Sequence, residues 1–190
     1  NSGWDATIEA VRVLRYFGGN LYAGLGDTAG DGDLWRWNGT SWTQIGGDGL
    51  NGSWAGSTYE YVGSLTYDGS NIYAGLGASD GDGEVWKWDG STWAKIGGDG
   101  LNGGWIAGWG DAVLSLRWDG SQLLAGTYDA GGSSWVYAWN GTSWSLIGGN
   151  GVNKSWGFYN LASVQVMQAV GNYLYAGMGN AAGSSVVWQW

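Results

Sequence analysis

"WRWNGTSWTQIGGDGLNGSW", residues 35–54, decides how this chain is read, because it returns as "WKWDGSTWAKIGGDGLNGGW" at 86–105 and as "YAWNGTSWSLIGGNGVNKSW" at 137–156. The period is 51 residues and it holds without a gap. Trp35, Trp86, Tyr137 and Trp188 form one column, Trp37, Trp88, Trp139 and Trp190 another, and Ile45, Ile96 and Ile147 a third. Upstream, "LYAGLG" at 21, "IYAGLG" at 72, "LLAGTY" at 123 and "LYAGMG" at 174 keep the same spacing, and only Trp4 falls one residue out of step with Trp54, Trp105 and Trp156. Self-similarity at such a period marks tandem units, each too small to bury its apolar face alone, that stack on their neighbours. A disordered Trp- and Gly-rich tract would keep no register, so the columns exclude it. The units run over approximately 1–47, 48–98, 99–149 and 150–190 and form one domain, 1–190.

Within a unit the period is two. "EAVRVLRY" and "DAVLSLRW" read as strands closed by turn signals such as "YDGSN", and the wholly apolar "IYAGLG" reads as a strand buried on both faces. A glycine-rich loop leads to "DLWRWNG" or "EVWKWDG", whose Asn-Gly and Asp-Gly pairs are hairpin signals, and "SWTQIGG" supplies the last strand. These are strands A to D. Four antiparallel strands per unit, without a helix, make the blade of an all-β propeller. The small residues of strand B beside the indoles of C and D suit a wide wedge. The expectation is therefore four blades that close on themselves, with an open array completed by another chain as the alternative. The fourth unit reaches Trp190 without a strand D, which leaves Val186–Trp190 as an edge to be covered.

The units resemble kelch-type propeller repeats: a buried strand ending in glycines, an aromatic pair, a turn, then a Trp and an aliphatic residue. The Gly-Gly pair follows strand D here rather than strand B. "IGGNGVNKSW" is more loosely similar to the link of tachylectin-type propeller lectins, and "WDGSTW" at 88 to the Asp-box of sialidase-type propellers, one residue short. These resemblances imply the fold; propellers carry many unrelated activities.

Composition narrows the chemistry. The 190 residues carry a net charge of −9 with seven Lys and Arg, which is unsuited to a phosphate backbone. No apolar run is long enough to enter a membrane as a helix. His and Cys are absent, so a Ser-His-Asp triad, a Cys-His dyad and ordinary zinc sites are excluded. Four sequons, at Asn38, Asn51, Asn140 and Asn153, matter only in a eukaryotic secretory host.

What remains is carboxylates, amides and aromatic rings. Asp27, Asp31 and Asp33, and Asp80, Asp82 and Glu84, sit in the B–C loops and offer oxygen donors for calcium or a hydrolase-like carboxylate pair; as solvated loop acids they need neither. Glu9, Glu60 and Asp111 precede the innermost strand, at the mouth of the axial channel, where three acids would raise one another's pKa or recruit a cation. The D–A links are where the units stop agreeing. Tyr59, Trp109, Phe158 and Tyr159 are aromatic only in their own units. Near them stand Trp54, Trp105 and Trp156 and the polar groups Asp48, Asn51, Asp99, Asn102, Asn150 and Asn153. Aromatic faces beside amide and carboxylate groups suit sugar rings. The expected function is a secreted, non-catalytic, carbohydrate-binding propeller with repeated inter-blade sites, its partners glycans or cell-surface polysaccharide and not nucleic acid. The alternatives are an adhesive protein-interaction module, self-associating through the Val186–Trp190 edge, and a carboxylate-dependent hydrolase.

Overall fold

Fifteen strands alternate with turns along the chain in a computed structural model that describes residues 4, 8, 10–56, 58–77, 83–105, 110–149, 151–156, 161, 163–179 and 185–189. The first unit contains β1 (Val11–Phe17), β2 (Asn20–Leu25), β3 (Leu34–Trp37) and β4 (Trp42–Gly46). The second contains β5 (Tyr61–Tyr67), β6 (Ile72–Gly77), β7 (Val85–Trp88) and β8 (Trp93–Gly97), and the third β9 (Ala112–Trp118), β10 (Leu123–Tyr128), β11 (Val136–Trp139) and β12 (Trp144–Gly148). The last has β13 (Val164–Val170), β14 (Tyr173–Met178) and β15 (Val186–Gln189). Each group is an antiparallel meander in chain order, the blade of a β-propeller.

Local chemistry explains the repeated turn. Between strands C and D, Asn38 Oδ1 accepts the N–H groups of Thr40 and Ser41 at 2.9 and 3.0 Å, and Asp89 Oδ1 accepts those of Ser91 and Thr92 at 2.8 Å. The glycine that follows, at φ 98° in Gly39 and 103° in Gly90, supplies the positive dihedral. Asp89, held well below the usual carboxylate range by the N–H groups of Thr92 and Ser91, acts on its own turn. The Asp-box-like phrase is thereby accounted for structurally.

Strand D carries a bulge at one place in every complete unit. Leu34 pairs with Gly46 and Trp35 with Gln44, so Ile45 is the extra residue and its carbonyl leaves the ladder. That carbonyl accepts Asn51 Nδ2 at 3.2 Å and, from the next blade, Trp93 Nε1 at 2.7 Å. Ile96 repeats the arrangement with Asn102 and Trp144, at 3.0 and 2.8 Å. Neighbouring blades therefore touch even at their outermost strands.

Close contact extends inward. A Cβ added to Gly75 of β6 would lie 2.7 Å from Val113 O and 2.8 Å from Val113 Cγ1 of the following blade. Three apolar clusters fill the spaces between successive blades. The first joins Leu34 and Ile45 to Val62, Leu65 and Trp93, and the second joins Val85 and Ile96 to Val113, Leu116 and Trp144. The third joins Leu124 and Val136 to Val164 and Met167.

The inner strands pack in the order β1, β5, β9, β13, and β13 makes no comparable packing with β1. The four units thus form an open arc, and the expectation of self-closure is corrected. The small residues of strand B do not accommodate a wide wedge. They admit the next blade's backbone, as Gly24 does for Val62 O and Gly75 for Val113 O.

Candidate functional site

The start of strand A, the end of B, the start of C and the end of D share one face, which carries the B–C loops and D–A links. The link indoles belong to the core there. Trp54, Trp105 and Trp156 are buried, and their Nε1 atoms donate back to the preceding unit, to Gly32 O, Gly83 O and Ser134 O. Trp54 packs edge-on to Trp93 at 5.2 Å, and Trp105 to Trp144 at 5.7 Å. No solvent-facing ring remains at these three positions for a sugar to stack on.

The amides expected beside them have structural partners. Asn51, Asn102 and Asn153 cap the bulge carbonyls of Ile45, Ile96 and Ile147. With Asp48 and Asp99 they occupy left-handed dihedrals, φ 52–56°, which Asn and Asp tolerate better than other non-glycine residues. Tyr59 is half-buried and donates to Glu84 Oε2 at 3.0 Å. Trp109, Asn150, Phe158 and Tyr159 lie outside the described residues.

The carboxylates divide among separate settings. Glu84 is buried and accepts Trp86 Nε1 at 2.7 Å and the Lys95 ammonium, which also pairs with Asp99 at 2.6 Å. Burial pulls Lys95 down, but its bonds to Asp99 and Glu84 outweigh that and hold it above its usual value. Asp33, the equivalent of Glu84 one unit earlier, accepts Gln44 Nε2 at 2.8 Å and has no lysine. Asp27 pairs with Arg12, whose guanidinium lies 4.8 Å above the Tyr61 ring. Asp111 Oδ2 accepts Ala130 N–H at 2.7 Å, a tie within its own blade. Among the described residues no three carboxylates come together as a cation cage. Glu9, Asp80 and Asp82 lie outside them, so the axial trio is seen only at Glu60 and Asp111.

Burial pushes Asp33 up to about 6, against the pull of Trp35 and Gln44 hydrogen bonds and with help from Asp48 and Asp31. The folded state therefore holds this proton more tightly than the unfolded chain, and stability falls as pH rises from about 4 to 6. Asp33→Asn should raise stability by about 2 kcal/mol at pH 7 and leave it unchanged near pH 3.5. Urea melts of both proteins across that range read the difference; equal pH slopes would reject the assignment.

A better-formed site lies on the opposite face, among the A–B and C–D turns. Between the second and third blades is an open cleft of about 320 Å³ walled by Tyr73, Trp118 and Trp139, with Asp68, Lys87 and Asn140 at its rim. Asp68 Oδ2 accepts Tyr73 O–H and Asn71 Nδ2, both at 2.8 Å, and Oδ1 accepts the Ser70 and Asn71 N–H groups. Burial alone would raise Asp68, but the bonds from Asn71, Tyr73 and Ser70 outweigh it and keep the carboxyl below its usual value. The Tyr73 phenol is raised by burial and by this carboxylate, so it stays a donor.

The same cleft recurs one unit on, at about 300 Å³, lined by Asp119, Gln122, Leu124, Ile147, Ala169 and Asn172. Between the first two blades Phe17 occupies the position of Asp68. It stacks on Tyr22 at 4.5 Å and Tyr67 at 5.1 Å and fills the space. The signal was in the sequence: the column Phe17, Asp68, Asp119, Val170 varies directly before the invariant column Gly18, Gly69, Gly120, Gly171.

Among solved structures the chain is similar to the WD40 β-propeller domain of Doa1, with a TM-score of 0.55 and 16% identity over 97% of this chain and 53% of that one. It is similar to the β-propeller domain of the Trilobed protease from Pyrococcus furiosus, with a TM-score of 0.52 and 10% identity over 94% of this chain and 51% of that one. An α-L-arabinofuranosidase from Clostridium thermocellum matches with a TM-score of 0.51 and 13% identity, over 93% and 66% of the two chains. The chain spans about half the length of the two propeller domains. At these identities the likeness is one of fold. No protein-family model matches the sequence. No curated protein matches it either.

Proposed function

We propose that this chain is a secreted, non-catalytic binding propeller of kelch-like units whose inter-blade clefts take carbohydrate. The observation that supports this reading is one cleft built twice, at successive interfaces on one face. In the better-equipped copy indole and phenol rings stand beside an ionised carboxylate, an ammonium and an amide. Apolar C–H faces of a sugar pack on rings such as Trp118, while its hydroxyls meet Asp68, Lys87 and Asn140. Each such site is weak, and repetition across blades raises affinity for polymeric or clustered glycans through avidity. No step in this reading transfers a proton or breaks a bond.

A glycan array with monosaccharide competition tests it, followed by calorimetry. Lys87→Ala and Trp118→Phe should each weaken binding about tenfold without moving the melting temperature by more than a few degrees. Phe17→Asp, which removes the ring that fills the first interface, should leave binding at the other two clefts unchanged. Binding that survives Lys87→Ala and Trp118→Phe unchanged would remove sugar from these clefts. A second reading rests on β15, which among the described residues pairs only with β14 and forms the outer edge of its sheet. An extended segment of a protein partner could add there as a further strand. An array without glycan hits, together with peptide binding lost on Val187→Pro, would favour that reading.

A further inference from the structure

The two ends of the arc expose the residues that the middle buries. On the leading side of a blade, the columns of Val11 and Leu14 continue as Val62, Val113 and Val164 and as Leu65, Leu116 and Met167. On the trailing side, those of Val166 and Val187 include Val13, Ser64 and Ser115 and Leu34, Val85 and Val136. Every interior member is exposed by 8% or less, whereas Val11 is exposed by 46%, Leu14 by 49%, Val166 by 58% and Val187 by 73%. Among the described residues, no further blade packs on the leading face of the first blade or the trailing face of the last. These are the two halves of the interface that the chain already makes between its own blades.

The fit extends to single groups. Val13 and Val62 pack together at the first internal interface, where a Cβ on Gly24 would meet both. Val166 and Val11 would repeat that pair. The strand-B glycine persists as Gly177, yet the contacts of its added Cβ are Val166 Cγ1 and Val166 O, with nothing from a following blade. Trp4 packs on Trp35 at 6.2 Å and Trp42 at 4.7 Å, as Trp54 packs on Trp86 at 5.9 Å and Trp93 at 5.2 Å. Trp54 Nε1 donates back to Gly32 O of the preceding blade. Counting by the repeat, the corresponding carbonyl for Trp4 is that of Ser185, at the far end of the arc.

We infer that two copies of this chain close one ring head to tail, the leading face of each first blade seated on the trailing face of the other copy's last blade. Such an interface is heterologous and closes only when the rotations sum to a circle. Two copies of four units bring eight blades to one ring, within the four-to-eight range of propellers.

Light scattering on the 190-residue chain should give a mass about twice 20.0 kDa. Leu14→Glu and Val187→Glu, both at exposed positions, should each yield a 20.0 kDa species with an unchanged circular dichroism spectrum. Mixing the two variants should restore the doubled mass, because one of the two junctions is then free of either substitution. A wild-type mass of 20.0 kDa overturns the inference, as does a mass of three or more copies. A dimer that Leu14→Glu leaves intact also overturns it, since pairing through the β15 edge gives that result.

Discussion

Replacing Trp105 by alanine is expected to lower the unfolding free energy by about 3–5 kcal/mol, the range for deleting a buried large aromatic. The indole is buried between two blades, stands 5.3 Å from Tyr137 and 5.7 Å from Trp144, and donates to Gly83 O at 2.6 Å. Its removal leaves a void at the interface and strands a buried carbonyl, and the two losses add. Trp37→Ala provides the comparison. That indole is half-buried and tilts against Trp42 at 5.6 Å, so about 1 kcal/mol should be lost. Urea denaturation followed by Trp fluorescence distinguishes the two. Equal midpoints would mean that the link indoles do not join the blades.

Gly75→Val should cost at least about 3 kcal/mol, by overpacking rather than by loss of contact. The new side chain meets the Ser64 hydroxyl in its own blade and Val113 O in the next, and neither the bulged strand A nor its neighbour can retreat without opening the second cluster. The effect should be local in a stacked array. Amide exchange should speed up across β5, β6 and β9 while β1 to β4 keep their protection. Uniform acceleration throughout the chain would show that the blades unfold as one unit.

The repeat made the blade legible. A 51-residue period, a two-residue alternation and Asn-Gly or Asp-Gly turns name the strands in order, and β1 to β15 follow that order. The columns also identify blade packing: Trp93 and Trp144 are buried because each blade must fill the same space against the last. The link residues were less legible, since Asn51 and Asn102 stand near tryptophans in the chain as ligand groups would. Only coordinates show their amides spent on bulge carbonyls and their backbones in left-handed turns.

What the sequence determined by itself is what depends on neighbours along the chain: strand period, turn chemistry, unit length, and the absence of His- and Cys-based catalysis. Tertiary structure decided everything that depends on the angle between blades. It turned the glycines of strand B from wedge fillers into points of close approach, and with that an expected closed ring into an open arc. It also placed the clefts on the turn face, where Phe17 fills one interface and Asp68 leaves the next one open. A column of letters carries which residue stands at a position. Whether the side chain there fills a space or lines it depends on how far the next blade stands away, and that distance is set jointly by all the strands in contact.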